Sequence, residues 1–371
     1  MMKRFLAPAA LCMQRLRLLP KFLLLALVLG VPMLLLCAVL LSELQRSIAD
    51  TRAEQAGLRF IGALQQASAQ LTRHRASQHL ALSAKSADAA TQAAGARREL
   101  DAAFSALAAL HAQDGALLGN AQSWQTVRAG WAALPATPLD ARAALAADTA
   151  LLARMRLLAA GVADATRVSL DPEPASNRLA ALVLQAAPAA SDALADLAGR
   201  GAAYIDTGLL APGEDLLLAS TAMAARIELE RAREQLAPML ATDPRLNVLM
   251  QPAAAALPVA LAFLERHRNE VGNAYGQTSG REFLAAGLAA ADGVQALRRQ
   301  AAQRLSLLLE ERLARSVLRR NLVAGAIAGA IALAAYLLAG LYASFSRDLA
   351  HLQRAVKSVA EGDLSRAIAS N

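Results

Sequence analysis

The chain contains 371 residues, of which 56% are hydrophobic but only 4% aromatic. Ala and Leu supply most of this apolar content, and both lose little side-chain freedom in a helix, whereas strands are enriched in β-branched and aromatic residues. The composition therefore predicts an all-α protein. Much of the net charge of +8 lies beside two apolar runs, which favours the membrane surface as a partner and argues against nucleic acid.

The first long apolar run, 22–41, predicts a membrane-spanning helix. It carries no charge, and about 20 residues of helix are needed to cross the hydrocarbon core of a bilayer. A cleaved signal peptide is the alternative, but residues 39–43 are too bulky for a small-x-small cleavage site. Lipoprotein processing at Cys37 is also disfavoured, because Leu36 stands where a small residue is needed. We therefore expect the run to be retained as an anchor.

A second apolar run, 322–341, predicts a second span. Five basic residues and no acid precede the first run: Lys3, Arg4, Arg15, Arg17 and Lys21. By the positive-inside bias the N-terminus stays in the cytoplasm, and two spans return the C-terminus there, as in a protein of the bacterial inner membrane. The predicted divisions are a leader (1–21), a first span (22–41), a periplasmic sensor (42–320), a second span (321–343) and a relay segment (344–371).

The sensor region contains no Cys, because the only two in the chain, Cys12 and Cys37, precede it. Its stability must come from helix packing rather than from disulfides. Apolar residues at three-and-four spacing predict one long helix over 42–84 that continues the first span, and a last helix from about Ser279 runs into the second span. The sequence predicts an elongated helical bundle, whose shorter middle helices allow two stacked four-helix modules that share the long outer pair.

Local signals inside the bundle predict where individual helices begin and end. A second helix is expected over 87–111, ending near Gly115. Asp171 followed by Pro172 fits an N-cap and a first helical position. The reason is that Asp accepts from free backbone N–H groups, while Pro lacks the donor that would otherwise be unpaired there.

The segment after the second span predicts a signal-relay helix. Leu349, Leu352, Val356 and Val359 are spaced by three, four and three residues, as in the seam of a parallel coiled coil. A single seam helix has no partner for its apolar positions. The pattern therefore predicts a homodimer.

Residues 342–371 resemble the start of a HAMP relay domain. The resemblance is carried by the seam helix directly after a span and by the run Ala360-Glu361-Gly362-Asp363-Leu364, which matches the A-x-G-D-L signature of such domains. It implies that Gly362, Asp363 and Leu364 take part in signal relay beside the four seam residues. It covers only the first helix and the start of the connector, and the proline that many such domains carry after the membrane is missing.

The sensor region is similar to the double-bundle periplasmic domains of certain bacterial methyl-accepting chemotaxis proteins, which are related to nitrate-sensing helical domains. The first matching run is 73–76, Arg-His-Arg-Ala, where the family tends to have His-Arg-Gly. The second is 170–179, where the family tends to have Asp-Pro-x-x-Asp-Ser-Tyr-Tyr-Leu. This chain departs at Ala76, Ala175, Asn177 and Arg178, so the resemblance implies a shared architecture rather than a shared ligand.

Candidate ligand-binding residues come from these two runs: Arg73, His74, Arg75 and Arg178. The guanidinium fork suits a carboxylate, nitrate or phosphate, and two such groups near a bundle interface could hold one anion. The alternative is a solvated charged face. Adjacent residues of a helix point in different directions, so the three neighbours cannot all converge within one chain.

No catalytic motif occurs in the sequence, which has no His-Glu-x-x-His, Cys-x-x-Cys, phosphate-binding loop or Gly-x-Ser-x-Gly. The other histidines have no neighbours at metal-ligand spacing. We therefore expect no catalytic residues, no metal, no cofactor and no enzymatic activity in this chain.

The predicted function is that of a transmembrane sensory receptor, chemoreceptor-like, which passes a periplasmic signal through the second span and the relay helix. Expected partners are the membrane, a second copy of the chain, and a small periplasmic ligand or ligand-loaded binding protein. Cytoplasmic signalling proteins are expected only if an output domain follows residue 371, and ending inside a relay domain suggests a fragment or truncated gene. Two alternatives stay open, namely the sensor portion of a histidine kinase or diguanylate cyclase, and a structural membrane tether.

Overall fold

The computed structural model describes residues 18–135, 140–170, 173–242 and 244–360, and this part of the chain is helical without any strand. The all-α prediction is confirmed. The α-helices in chain order are α1 (Leu18–Ser83), α2 (Ala87–Leu118), α3 (Ala121–Ala132), α4 (Ala141–Ala165), α5 (Pro174–Ala181), α6 (Ala187–Thr207), α7 (Glu214–Thr242), α8 (Pro244–Ala254), α9 (Ala256–His267) and α10 (Gly280–Ala360). One 3-10 turn (Val168–Leu170) and two π turns (Leu182–Ala186 and Arg268–Gly272) join some of them.

Side-chain caps and glycines define several helix boundaries. The Ser86 hydroxyl accepts from the backbone N–H of Ala89, and the Asp140 carboxylate accepts from that of Ala143 at 2.7 Å. Helix α2 passes through the predicted stop at Gly115 and ends before Gly119, whose φ of +61° is the left-handed conformation that a C-cap requires. A glycine inside a helix costs only about 1 kcal/mol, so packing overrides it.

The predicted N-cap pair Asp171 and Pro172 lies outside the described residues. Helix α5 begins two residues later at Pro174, with Glu173 as its N-cap. Proline still occupies an early helical position there, because its missing N–H would be unpaired in the first turn in any case.

Three helical segments are long and apolar enough to cross a membrane: Ala26–Ser83, Asn247–Gly272 and Gly280–Arg354. The first overlaps most of the predicted span 22–41, and the third contains the predicted span 321–343. Their mean hydropathies are 2.4 and 2.3, and the most apolar stretch of each is 0% buried. The second was not predicted. Its mean hydropathy is 1.6, and 33% of its most apolar 18-residue stretch is buried. Phe263 and Leu264 of this segment belong to a hydrophobic core.

The chain divides into two compact units, residues 1–48 with 314–371, and residues 49–313. In the first unit the large apolar side chains are exposed: Leu36 by 71%, Leu322 by 66% and Tyr336 by 75%. Soluble proteins rarely present contiguous apolar surface of this kind. The first unit therefore has the character of membrane-spanning helices.

The second unit contains two separate hydrophobic clusters. The first cluster is formed by α1–α4 and includes the aromatic residues Phe60, Phe104 and Trp124. Phe60 meets Trp124 edge to face at 6.0 Å, Phe104 stacks on Trp131 at 5.3 Å, and the Arg97 guanidinium lies 4.5 Å above the Trp131 ring. Aromatic pairs of this geometry contribute about 0.5–1.5 kcal/mol beyond their buried area.

The second cluster is formed mainly by α5–α10 and the π turn after α5, together with Leu58, Ala76 and Leu80 of α1, and it is rich in alanine. Its helices approach closely at glycines. A Cβ atom on Gly199 would lie 2.7 Å from the Ala76 Cα, and one on Gly287 would lie 2.4 Å from the Ala198 Cβ. Real Cβ atoms do not come so near, so the spacing of α1, α6 and α10 depends on these glycines.

Helix α1 contributes buried apolar residues to both clusters, whereas the described buried apolar residues of α10 belong only to the second. The expectation that both long helices are shared by two modules therefore differs from the observed packing. The physical reason is that α10 reaches the boundary between the clusters with polar residues, Gln295 and Arg298. These form hydrogen bonds there instead of filling an apolar core.

Candidate functional site

A cavity of about 330 Å³ lies between the two clusters. Leu64 and Met155 of the first cluster form part of its wall, and Leu184 and Pro188 form another part. Its size is at the lower end of the range of ligand pockets, roughly 300–1,000 Å³. Polar groups from α1, α4, α6, α7 and α10 interrupt the apolar wall, and they determine what the cavity can bind.

Asp192 on α6 is the most highly connected polar residue of this wall. Its carboxylate accepts hydrogen bonds from Arg75 Nη2 at 3.0 Å, Arg156 Nη2 at 2.6 Å and Thr72 Oγ1 at 3.2 Å. Arg75 is only 3% exposed and also pairs with Asp196 at 3.2 Å. These bonds link α1 and α4 to α6 through Asp192. Loss of either partner of the buried Arg75–Asp192 pair would leave an uncompensated charge, which is strongly destabilising.

A second polar network borders the cavity from α10. The Arg298 guanidinium is 2% exposed and donates to Gln65 Oε1 on α1 and, at 2.7 Å, to Gln295 Oε1. Gln295 in turn donates to Ser191 Oγ at 3.1 Å, and Gln65 donates to the backbone carbonyl of Val183 at 2.8 Å. Every acceptor in this chain of hydrogen bonds has a fixed donor, so the amides are held in one orientation.

Arg298 carries a buried positive charge that no carboxylate in the described part of the chain pairs with. Burial, and to a lesser extent the neighbouring Arg299, lowers the pKa of Arg298 to about 10. The group is still protonated at neutral pH. Gln65 and Gln295, which line the cavity, stabilise the Arg298 charge only through the dipoles of their amides. The cavity therefore lies beside a positive charge that is not balanced by a paired carboxylate.

Asp148 on α4 is a buried carboxyl group close to these networks. It is 3% exposed, and burial raises its pKa to about 7, against the opposing effect of the Arg75 and Arg97 charges. Its neighbour Thr149 accepts a hydrogen bond from Arg75 Nη1 at 3.3 Å. The region beside the cavity therefore contains a carboxyl group that changes its charge near neutral pH.

The ligand-binding candidates predicted from the sequence point to different partners. Arg73 pairs with Asp292 on α10, the His74 ring lies 2.9 Å from the backbone carbonyl oxygen of Ala93 on α2, and Arg75 pairs with Asp192. Burial is the main cause of the lowered pKa of His74. The three side chains do not converge, as the helical geometry requires.

None of the four predicted residues lines the cavity, and Arg178 is exposed on α5. Arg75 nevertheless positions Asp192, which does line it. A role of these residues in ligand binding stays a prediction.

Gln65, Asp192 and Arg298 were not singled out by the sequence patterns. The usable signal was a single polar residue inside a buried apolar stripe: Gln65 follows Leu64, and Arg298 follows Leu297. Such a residue must find a partner inside the fold, because burying an unpaired polar group costs about 1–3 kcal/mol. The signal marks the position but does not identify the partner.

The predicted relay residues lie only partly within the described chain. Helix α10 extends to Ala360, and Leu349 and Leu352 are 41% and 57% exposed on it. Val356 and Val359 are in this helix, but their side chains are outside the described set. The signature residues Gly362, Asp363 and Leu364 lie beyond the described residues.

No group of three or more His, Cys, Asp or Glu residues in the described ranges could hold a metal ion. The chain was also compared with protein-family models, with curated proteins and with solved structures, and no match was found in any of the three.

Proposed function

We propose that this chain is the front end of a transmembrane sensory receptor, which binds a small ligand in the cavity between the two clusters and relays the signal along α10. One observation carries the proposal. The single helix α10 contains, in order, the cavity residue Gln295, the apolar run 322–341 and the seam positions Leu349 and Leu352.

The polar networks supply a means of coupling. Gln295 is hydrogen-bonded to Ser191 on α6, and its neighbour Arg298 is hydrogen-bonded to Gln65 on α1. A ligand that engages these amides competes with bonds that hold α10 against α1 and α6. Helix shifts of about 1–2 Å suffice for switching when packed interfaces have two stable arrangements.

The charges of the wall define the chemistry of the ligand. The wall contains two ion pairs, Arg156 with Asp192 and Arg231 with Glu228, each at 2.6 Å, so it presents guanidinium donors and carboxylate acceptors side by side. A small molecule with both an acidic and a basic group matches this lining, and the buried charge of Arg298 favours orienting its acidic group towards Gln65 and Gln295.

In this proposal the spans lie in the bacterial inner membrane, residues 42–320 face the periplasm, and both termini are cytoplasmic. The seam residues of two copies pair to form a homodimer, because the exposed Leu349 and Leu352 need an apolar partner. The output is a chemoreceptor-type contact with cytoplasmic signalling proteins.

Disulfide crosslinking in membranes of cells that produce the full chain tests whether the seam residues pair, and thiol labelling tests on which side of the membrane they lie. In a background with Cys12 and Cys37 replaced by Ser, we expect Leu352→Cys to crosslink into dimers at least several-fold faster than His351→Cys, which lies off the seam. Labelling with a membrane-impermeant maleimide added outside spheroplasts should not reach Cys at position 352.

A second substitution in the same background tests the cavity. Ala160→Trp fills the cavity from α4, and Ala153→Trp adds the same ring to an exposed position of that helix outside the cavity. The crosslinking rate at position 352 should change with Ala160→Trp and stay constant with Ala153→Trp. Equal rates at positions 351 and 352, or labelling from outside, would refute the receptor proposal.

A further inference from the structure

Two buried polar atoms close to the cavity between the clusters lack a hydrogen-bond partner among the described residues. One is Oδ2 of Asp148 on α4, and the other is Nε of Arg75 on α1. Both residues are 3% exposed, so only a rearrangement within the fold can supply a partner. An ionised carboxyl oxygen accepts hydrogen bonds and a guanidinium N–H donates them, and Arg75 already donates through Nη1 to Thr149, the residue after Asp148.

Two guanidinium groups act on Asp148 from neighbouring helices. Burial, the largest effect, raises the pKa of Asp148 to about 7, and the positive charges of Arg75 on α1 and Arg97 on α2 oppose it. Arg97 is engaged elsewhere, because it donates to the backbone carbonyls of Leu134 and Pro135 at 3.1 Å each. Arg75 is therefore the neighbour with an N–H group to spare.

Other titratable or charged residues come from the elements packed against α4. They are His74 and His79 on α1, Arg128 on α3, and Asp192 and Asp196 on α6. Burial is the main cause of the lowered pKa of both histidines, so both are neutral at pH 7. The arginine on α3 is exposed, and both aspartates form ion pairs with Arg75. The proton on Asp148 thus decides whether two or three carboxylates compete for Arg75.

We propose that Asp148 is a pH-dependent switch for the cavity: when it ionises, it draws the Arg75 guanidinium away from Asp192, whose carboxylate then receives the basic group of a ligand. Asp192 lines the cavity, whereas Arg75 and Asp148 do not. The proton of Asp148 passes to water. The inference rests on the proposed function, because it takes the cavity as the ligand site.

The competition for Arg75 has a physical cause. An ionised carboxyl group that is buried without a paired charge is strongly destabilised, so Asp148 attracts the nearest available guanidinium as it ionises. Asp192 tolerates the loss better, because its side chain is 19% exposed and keeps hydrogen bonds from Arg156 and Thr72. By linkage, a cation bound at Asp192 favours ionised Asp148 by the same factor by which ionisation favours the cation.

The Nε–H group of Arg75 is the direct probe of the switch, and it needs no ligand. Its ¹H–¹⁵N resonance is followed in the full chain in lipid nanodiscs. It is identified by its absence in Arg75→Lys or, if that variant does not fold, by its proximity to the Thr149 side chain. We expect the resonance to move with a midpoint at a pH of about 7, because the group gains an acceptor as Asp148 ionises. A resonance that stays constant through this range would overturn the inference and leave the receptor proposal standing.

Variants show whether Asp148 is the group that titrates. Asp148→Asn should hold the Arg75 resonance constant, and Asp148→Glu, which restores a carboxyl group, should let it titrate again. Asp148→Leu is the second neutral variant, for the case that Asp148→Asn does not fold. The matched control is Asp101→Asn, which removes an exposed carboxyl group of α2 and should behave like the wild type. A titration that persists in the neutral variants would refute the role of Asp148.

Ethylammonium tests the consequence for the cavity. Like a lysine side chain, it stays protonated near neutral pH, so a pH dependence of its binding comes from the protein. Binding is followed by the ¹³C methyl resonance of Met155, which lines the cavity. The affinity should be about tenfold higher at about pH 8 than at about pH 6, because the ionised fraction of Asp148 rises from about 0.1 to about 0.9.

The outcomes separate this inference from the receptor proposal. In the neutral Asp148 variants ethylammonium should bind with the low affinity of the wild type at about pH 6, at either pH. Equal wild-type affinities at the two pH values would overturn the switch alone. A Met155 resonance that does not respond to ethylammonium at either pH would overturn the switch and also remove the cavity as the ligand site of the proposed receptor.

Discussion

The first cluster is filled by large aromatic side chains, whereas the second is closed by glycine and alanine where its helices cross. Trp124 meets Phe60 edge to face in the first, and in the second Gly199 lets α6 approach the backbone of α1. Removing volume should damage the first cluster most, and adding volume should damage the second. The two clusters thus reach dense packing by different means.

The largest effect is expected for Trp124→Ala in the first cluster. Trp124 is 4% exposed, and truncating a buried tryptophan typically costs about 3–5 kcal/mol. The free energy of unfolding of the full chain in detergent, from denaturant titration followed by circular dichroism, measures the loss. Leu157→Ala is the control, because Leu157 is 74% exposed and its truncation should change little. A loss below about 1 kcal/mol for Trp124→Ala would remove the contrast between the clusters.

Gly199→Ala should have the next largest effect, in the second cluster. The added methyl group would meet the Ala76 backbone at 2.7 Å, and overpacking of this kind costs about 1–3 kcal/mol. The matched control is Gly161→Ala, at an exposed helical glycine with open space around its Cα, which should stabilise the chain by about 0.5–1 kcal/mol. The same denaturant titration measures both variants. Changes of the same sign in their free energies of unfolding would contradict the prediction.

The last contrast concerns pH, because stability depends on pH with opposite signs in the two regions. The pKa of Asp148 is raised from 3.8 to about 7 in the fold, so between these values the native state holds more protons and stability falls as pH rises. The pKa of His267 is lowered from 6.5 to about 4, so in that window the unfolded state holds more protons and stability rises with pH.

Asp148→Asn and His267→Gln should therefore change the pH profile in opposite directions. Relative to the wild type, stability should rise more between pH 4 and 7 in Asp148→Asn and less in His267→Gln. Unfolding titrations at several pH values measure the two slopes. Parallel profiles for both variants and the wild type would show that neither group titrates as assigned.

Several helix boundaries were predictable because their causes are local. Helix α1 ends at Ser83, one residue from the predicted end, and α10 begins at Gly280, next to the predicted Ser279. Helix α2 was predicted too short, because a helical glycine at 115 and a left-handed glycine at 119 look alike in sequence. Only the backbone conformation distinguishes them.

The candidate site was predictable only in part. Arg75 was singled out for its guanidinium, but its partner Asp192 lies 117 residues further along the chain, and no local pattern connects the two. The same holds for Arg298 and Gln65, which are 233 residues apart. Polar residues on buried faces reveal that partners exist, while the packing of the helices selects them.

By itself the sequence determined the helical class and the two most apolar runs, because both follow from composition and short-range periodicity. The tertiary structure decided which other apolar helix is partly buried, since Asn247–Gly272 passes the same length and hydropathy criteria as the two runs. It also decided where the cavities lie and which polar groups face them. The physical reason is that helix formation depends on neighbours within about four residues, whereas a cavity is created by side chains from distant segments that meet only when the helices pack.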